Sequence, residues 1–303
     1  MRGISFKFAV FAVASLLAAE ASAKALRVAV ENVPASQQAM NSEVVIVGKV
    51  TEIEKEPTKA TFSPGATDKV DYTVGVIKIS DSIKGANGLT TIRVGFMQAA
   101  VAPVNQPNNK LRPMIAPAIA RIPNATLTAE QEGCFFLTKH HDGDFYVMQQ
   151  FGQPLDKKSP DFDKQIGTIK KTMKIYEDPK ASLQAKDAAD RQNAAIVLVQ
   201  KYRTTPALKQ ATATTKIIQE PIDAEESKLI LQSLSEMEWG KVDANGMGIQ
   251  NSFYMLGLQP KDGWTQPKFV QGQDFNKIMG AAVKKWMTEN AEKYRIQRYV
   301  VVK

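Results

Sequence analysis

The chain has 303 residues, of which 44% are hydrophobic and 23% charged, and its formal net charge is +8 at pH 7. This composition is that of a globular protein with a core of its own, and it excludes a disordered tail, a collagen-like repeat and a polytopic membrane protein. With 1 Cys and 2 His, the chain cannot build a disulfide scaffold or a zinc or iron–sulfur site made of cysteines.

The first 23 residues contain the three parts of a secretory signal peptide in the expected order. Arg2 and Lys7 form a basic start, residues 8–19 are an apolar run, and Ala21-Ser22-Ala23 supplies the small residues of a cleavage site. The apolar run is too short to span a bilayer as a helix. We therefore expect residues 1–23 to be removed and the protein to be exported, periplasmic or extracellular. An uncleaved anchor is the alternative.

The excess of positive charge narrows the choice of partners. An exported chain seldom meets nucleic acid, so its charge points to other anionic partners. We expect an envelope protein or an anionic polysaccharide as the partner, no nucleic acid, and no transmembrane segment after the signal peptide is removed. The basic residues are dispersed along the chain, which also fits an ordinary solvated surface.

Five segments in the first half have the apolar alternation and β-branched content of strands. They cover residues 44–54, 71–79, 92–96, 134–138 and 145–150. Gly48, and a shift of apolar phase after Val76, predict bulges that bend the first two strands. The Asp142-Gly143 pair predicts a hairpin between the last two. This order predicts a five-stranded OB-like β-barrel over residues 24–155, with a small sandwich as the alternative.

A Pro-rich insertion, residues 97–128, interrupts this strand pattern and contains five prolines: Pro103, Pro107, Pro113, Pro117 and Pro123. Connections of this length are usually functional or mobile. OB-type barrels are general platforms for ligands, so a long insertion beside one favours a binding role.

The order of these features resembles a known family. The segments concerned are Ser42–Val50, Asp71–Val76, Ile83-Lys84-Gly85, Ile92–Phe96, Gly133–Leu137 and the Asp142-Gly143 hairpin. Together they look like the netrin-like domain of tissue inhibitors of metalloproteinases, an OB-type barrel. The chain also resembles uncharacterised exported proteins of planctomycete-type bacteria over most of its mature length. Those inhibitors chelate their target's zinc through an N-terminal Cys, whereas this chain would begin at Lys24. The resemblance therefore implies a fold, and no functional residue is carried over.

The second half has the spacing and start signals of amphipathic helices. Ser159 with Pro160 predicts one helix start, and Asp187, Asp223 and Asp274 predict three more as N-caps. The third helix is predicted to continue through Met237, and residues 296–302 read as a closing strand. Residues 156–303 are thus predicted to form a helical bundle, and the fold class is α+β.

The strongest polar cluster lies at the predicted hairpin tip, and it is the candidate metal site. His140, His141, Asp142 and Asp144 offer nitrogen and oxygen ligands for a divalent ion. Adjacent His residues on a strand point to opposite faces, so both cannot easily bind one ion. A solvated hairpin tip is the alternative interpretation. We expect no cofactor and no tightly bound metal ion, so that stability is insensitive to a chelator.

The chain contains no sequence motif for catalysis that we recognise: neither a Gly-rich phosphate loop, nor a nucleophile elbow, nor a zinc-binding His-Glu helix. Cys134 is followed by Phe135, Phe136 and Leu137, which predicts a buried, inert thiol. The sequence leaves open whether the protein is an enzyme. It favours an exported, non-enzymatic binding protein of the cell envelope. An envelope hydrolase of unrecognised type and a protease-regulating protein are the alternatives.

Overall fold

Strands dominate the first half of the chain and helices the second, so the fold is mixed α+β as predicted. The structure is a computed structural model that describes residues 33–97, 125–148, 152–206, 215–242 and 248–302. The predicted signal peptide and residues 98–124 of the Pro-rich insertion lie outside the described residues.

The chain divides into two compact units. The first contains the described parts of Met1–Thr58, Asp71–His140 and Asp144–Ser159. The second contains the described parts of Lys59–Val70, His141–Gly143 and Pro160–Lys303.

The first half contains a closed five-stranded β-barrel. Its described strands are β1 (Val44–Ile53), β2 (Thr58–Thr61), β3 (Lys69–Lys84), β4 (Thr91–Phe96), β5 (Glu132–Lys139), β6 (Tyr146–Met148) and β7 (Leu155–Asp156). The barrel order is β1-β3-β4-β6-β5, and pairing of β5 with β1 closes it. Neighbouring strands are antiparallel except for the parallel pair of β4 and β6. The short strands β2 and β7 pair with β3 and β5.

The predicted bulges in the first two long strands, β1 and β3, are present. The register between β1 and β3 shifts at three places, one of them between Val47 and Gly48. A Cβ atom at Gly48 would lie 2.6 Å from the carbonyl oxygen of Lys78, so the two backbones approach too closely for any side chain. Two of the three shifts leave an extra residue on β3, Ile83 and Ser80, and the third leaves Thr51 extra on β1, opposite the predicted change of apolar phase in β3.

Apolar side chains from every barrel strand fill the interior. Because side chains alternate along a strand, every second position of β1, β4 and β5 turns inward. The central cluster consists of Val44, Ile46, Val50, Ile77, Ala86, Ile92, Val94, Phe96, Leu127, Phe135 and Leu137.

A short helix, α1 (Ala35–Asn41), precedes the barrel and was not predicted. Its last carbonyl groups have no partner within the helix, as at any helix C-terminus. The ammonium group of Lys84 donates hydrogen bonds to the carbonyl oxygens of Ala39 and Met40, both at 3.2 Å, and to that of Ser42. A cation is favourable at a helix C-terminus, so Lys84 ties α1 to the end of β3.

The second unit contains most of the helices and a two-stranded sheet. Its helices are α2 (Phe162–Glu177), α3 (Pro179–Leu183), α4 (Ala188–Arg203), α5 (Ala224–Ser235), α6 (Ile249–Leu256) and α7 (Phe275–Asn290), with a 3₁₀ turn at Pro260–Asp262. The sheet pairs β8 (Lys216–Pro221) with β9 (Gln297–Val302) in antiparallel fashion. No helix in the described ranges is both long and apolar enough to cross a bilayer.

The central helix of this unit is α4. It packs against α2, α3, α5, α6 and β9. Six consecutive residues, Ala194–Val199, are buried, so the middle of the helix is covered on all sides. The sequence predicted only one apolar stripe here, and a helix that is apolar all round belongs in a core.

Most predicted helix boundaries agree with the structure, and two do not. Asp187, Asp223 and Asp274 each accept a hydrogen bond from the main-chain N–H three residues on, as N-caps do. Ser159 is not a cap, because the first helix begins at Phe162 after Asp161. The helix predicted to reach Met237 ends at Ser235.

Candidate functional site

The hairpin between β5 and β6 carries the four residues of the candidate metal site. Its first residue, His140, is buried, and its ring stacks on Phe145 with ring centroids 4.7 Å apart. The Nε2 atom of His140 lies 3.4 Å from the hydroxyl of Tyr72, whose ring meets it edge-on. His140 is therefore a packed aromatic residue of the barrel unit.

The next two hairpin residues belong to the second unit, where they contact Thr61. The Nε2 atom of His141 lies 2.8 Å from the Thr61 hydroxyl oxygen. The carboxylate of Asp142 accepts hydrogen bonds from the main-chain N–H of Thr61 at 3.0 Å and from its hydroxyl at 3.3 Å. The bond from the Thr61 N–H is the main cause of a lowered pKa at Asp142. The structure thus brings His141 and Asp142 together around Thr61.

The last candidate residue, Asp144, takes part in an ion pair. Its carboxylate lies 3.3 Å from the ammonium of Lys139, and its carbonyl oxygen accepts a hydrogen bond from Arg93 at 3.2 Å. No group of three or more His, Cys, Asp or Glu side chains in the described ranges is arranged to hold a metal ion.

Arg93 has the best-defined polar contact of the barrel unit, and the sequence did not reveal it. Its Nε and Nη2 atoms donate to the two carboxylate oxygens of Glu54 at 2.7 and 2.8 Å. This two-point contact lowers the pKa of Glu54 and raises that of Arg93. Because Arg93 also holds the Asp144 carbonyl, it anchors the hairpin to β4.

Cys134 lies on β5 and is fully buried, as predicted. Burial, assisted by the negative charge of Asp81, raises the pKa of its thiol to about 12. The thiolate is the nucleophilic form of Cys, and at neutral pH it is almost absent here.

We expect Cys134 in the native protein to react with an alkylating reagent at least about a hundredfold more slowly than in the unfolded chain, since both burial and protonation protect it. Labelling kinetics at pH 8, with and without urea, followed by mass spectrometry, measure this. A Phe62→Cys variant, with an exposed second thiol, should take up one label rapidly and one slowly. Rapid labelling of native Cys134 would contradict the expectation.

A second polar cluster lies where α2, α4 and α5 meet. The ammonium of Lys201 sits 4.7 Å from the ring centroid of Tyr176 and 5.4 Å from that of Tyr202. The hydroxyl of Tyr202 donates to the carboxylate of Glu226. Desolvation lowers the pKa of Lys201 and raises those of the two tyrosines. These contacts join three helices.

The most prominent exposed feature of the second unit is aromatic. Phe253 is buried and lies at the centre of four rings, with centroid distances of 4.8 Å to Trp264, 6.0 Å to Trp286, 6.1 Å to Trp239 and 6.2 Å to Tyr254. Tyr254 is 60% exposed, and Trp239 and Trp264 are half-buried. We call Trp239, Tyr254 and Trp264 the aromatic surface.

Separate elements hold these rings in place. On α6, successive residues point about 100° apart, so Phe253 turns into the core while Tyr254 turns to solvent. Trp239 follows α5 and packs on α7. A Cβ atom built at Gly280 of α7 would lie 2.7 Å from the Cβ atom of Trp239. The indole N–H of Trp286 donates to the Asp262 carbonyl at 3.0 Å, which fixes the turn before Trp264.

Two side-chain amides lie near Gly240, the residue that follows Trp239 of the aromatic surface. A Cβ atom at Gly240 would lie 3.9 Å from the amide nitrogen of Asn276 and 4.0 Å from that of Gln250. Asn276 is exposed and Gln250 partly so. Exposed ring faces next to side-chain amides are suited to ligands that are apolar on one face and carry hydroxyl groups at the rim.

No protein-family model matches the chain, and no curated protein shows significant sequence similarity to it.

Proposed function

We propose that the protein is an exported, non-enzymatic binding protein of the cell envelope, and that the aromatic surface binds polysaccharide. Export is supported by the three parts of a signal peptide, which follow one another in the expected order and lie outside the described residues. These parts are the basic Arg2 and Lys7, the apolar residues 8–19, and the small residues Ala21-Ser22-Ala23. The mass of the mature N-terminus in an envelope fraction tests this part, and a chain that still begins at Met1 would contradict it.

We further propose that the barrel is of the OB type and related to netrin-like domains, and that the helices of the second unit form a bundle. The closed order β1-β3-β4-β6-β5, with bulges between β1 and β3, supports the OB assignment. The burial of α4 among its neighbouring helices supports a bundle.

The observation that carries the binding proposal is the 60% exposure of Tyr254, whose ring centroid lies 6.1 Å from that of the half-buried Trp239. The half-buried Trp264 contacts the same buried ring as these two, that of Phe253. A sugar ring has an apolar C–H face that packs on an aromatic ring, and hydroxyl groups at its edge that bond to amides. The amides of Asn276 and Gln250 lie near Gly240, the residue that follows Trp239, and are partners of this kind. The net charge of +8, which falls to +7 when Arg2, Lys7 and Glu20 are removed with the signal peptide, favours an anionic polysaccharide over a neutral one.

The intrinsic fluorescence of the protein reports directly on this surface, because its 3 Trp residues are Trp239, Trp264 and Trp286. We expect a polyuronate to change Trp emission in a saturable way and a neutral glucan to bind more weakly. Tyr254→Ala should weaken polyuronate binding at least about tenfold, which corresponds to about 1.4 kcal/mol. Tyr254→Phe keeps the ring and should bind nearly as well as the native protein.

Phe62→Ala is the matched control, because Phe62 is 61% exposed but does not belong to the aromatic surface. It should bind like the native protein. The proposal fails if no polysaccharide binds, or if Tyr254→Ala and Phe62→Ala have the same small effect. Capture of an apolar peptide in place of polysaccharide would indicate a protein partner and would also overturn it.

A further inference from the structure

The two-stranded sheet of the second unit has an open edge. β9 packs against α4, whereas β8 pairs with no strand other than β9 in the part of the chain that the structure describes. Both isoleucines of β8 are partly exposed, Ile217 by 36% and Ile218 by 38%, although they lie on opposite faces. An edge strand that presents apolar side chains is a template for pairing with another strand.

The hydrogen bonding of the sheet shows which main-chain groups of β8 face outward. The N–H of Ile222 donates to the carbonyl oxygen of Ile296 at 2.9 Å, one step beyond the pairing of Pro221 with Gln297. Since bonded and non-bonded pairs alternate in an antiparallel sheet, Lys216, Ile218 and Glu220 direct their main-chain groups toward β9.

The intervening residues direct their main-chain groups away from β9. Ile217 and Gln219 therefore present N–H and C=O groups at the open edge. Pro221 also faces outward, where its lack of an N–H costs the sheet no bond, as is usual for Pro on an edge strand.

We propose that the open edge of β8 pairs with β8 of a second copy of this chain, antiparallel and about a two-fold axis at Ile218. Ile217 of each copy then lies opposite Gln219 of the other, and their outward groups form about four main-chain hydrogen bonds. The contact is isologous and closes on itself, as in most homodimers.

The charges of β8 favour a second β8 strand as the partner, and they favour this register. Centring the pair on Ile218 places Lys216 of each copy opposite Glu220 of the other, so the strand is complementary to itself. Glu220 also lies 3.4 Å from Arg298 on β9, which adds positive charge on the same side. A register shifted by two residues would lose this match of opposite charges.

Reversing either charge should break the dimer, and mixing the two variants should restore it. Lys216→Glu places a second carboxylate opposite that of Glu220, and Glu220→Lys places a second ammonium opposite that of Lys216. Each variant alone should therefore dimerise at least about tenfold more weakly than the native protein. In an equimolar mixture every facing pair is again of opposite charge. Sedimentation of each variant and of the mixture measures this, and thermal unfolding checks that both variants are folded.

A cysteine pair tests the position of the axis. At a non-bonded antiparallel pair the Cα atoms are about 4.5 Å apart, within the roughly 4.4–6.8 Å range of disulfides. Ile218→Cys should therefore oxidise to a covalent dimer. Ile217→Cys, almost equally exposed but off the axis, should do so far more slowly.

A native protein that remains monomeric at its highest soluble concentration would overturn the proposal, as would a mixture of the charge variants that stays monomeric. Equal cross-linking of the Ile218→Cys and Ile217→Cys variants would overturn the register. None of these changes touches the aromatic surface, so polysaccharide binding by a monomeric variant separates this proposal from the proposed function.

Discussion

Replacing Phe135 with Ala is expected to lower the free energy of unfolding of the barrel unit by about 3–5 kcal/mol. Phe135 has no exposed surface and lies in the central cluster of the barrel. It stands opposite Ile46 in the pairing of β5 with β1, which closes the barrel. Removing the ring loses the free energy gained when its apolar surface leaves water on folding. It also leaves a cavity that the packed strands cannot fill.

Urea unfolding followed by far-ultraviolet circular dichroism measures this effect, since the chain has no Trp before Trp239 to report on the barrel. Leu89→Ala is the control within the same unit, because Leu89 is 45% exposed, and its effect should stay within about 0.5 kcal/mol. A loss below about 1 kcal/mol for Phe135→Ala would mean that the site is not a closed core.

The barrel could be predicted from the sequence because its strands carry their own signals. In β5, apolar residues fill every inward and outward position from Gly133 to Leu137, and the Asp142-Gly143 pair marks the turn that follows. In β4, Ile92, Val94 and Phe96 alternate and are all buried. Where local preference and burial agree in this way, a single sequence is sufficient.

The elements that were missed depend on contacts distant in sequence. Five of the six residues of β8 are exposed, so the strand does not need the alternation of apolar and polar residues by which a half-buried strand is recognised. α6 has eight residues, too few to be stable alone, and it forms because Ile249, Phe253 and Leu256 pack into the core. Neither element has a pattern long enough to be read locally.

The aromatic surface could not be predicted for a related reason. Its rings come from three separate places, after α5, on α6 and after the 3₁₀ turn, and each ring alone reads as an ordinary apolar residue. Only the folded chain shows that Tyr254 remains exposed while Phe253 beneath it is buried. By contrast, the sequence placed the hairpin correctly, but it could not show that His140 would be stacked on Phe145.

The second large effect is expected at Gly85, the residue that follows Lys84 at the end of β3. Its backbone has φ +71°, the left-handed region that costs a residue with a side chain about 1–2 kcal/mol. A Cβ atom there would also overlap the carbonyl oxygen of Glu43, which belongs to the backbone and cannot rotate away. Gly85→Ala should therefore destabilise the barrel unit by about 3 kcal/mol or more.

Gly88→Ala separates the two causes of this loss. Gly88 lies in the same turn with φ +83°, but a Cβ atom there would meet nothing within 4 Å. Gly88→Ala should therefore lower the free energy of unfolding only by the cost of the left-handed backbone, about 1–2 kcal/mol. The difference between the two variants in urea unfolding is then the cost of moving Glu43 away from Gly85, although the N–H of Glu43 is also held by the carbonyl oxygen of Leu137 on β5. Equal losses for the two variants would show that the backbone at Glu43 yields freely, and that the chain entering β1 is not fixed by its packing against Gly85.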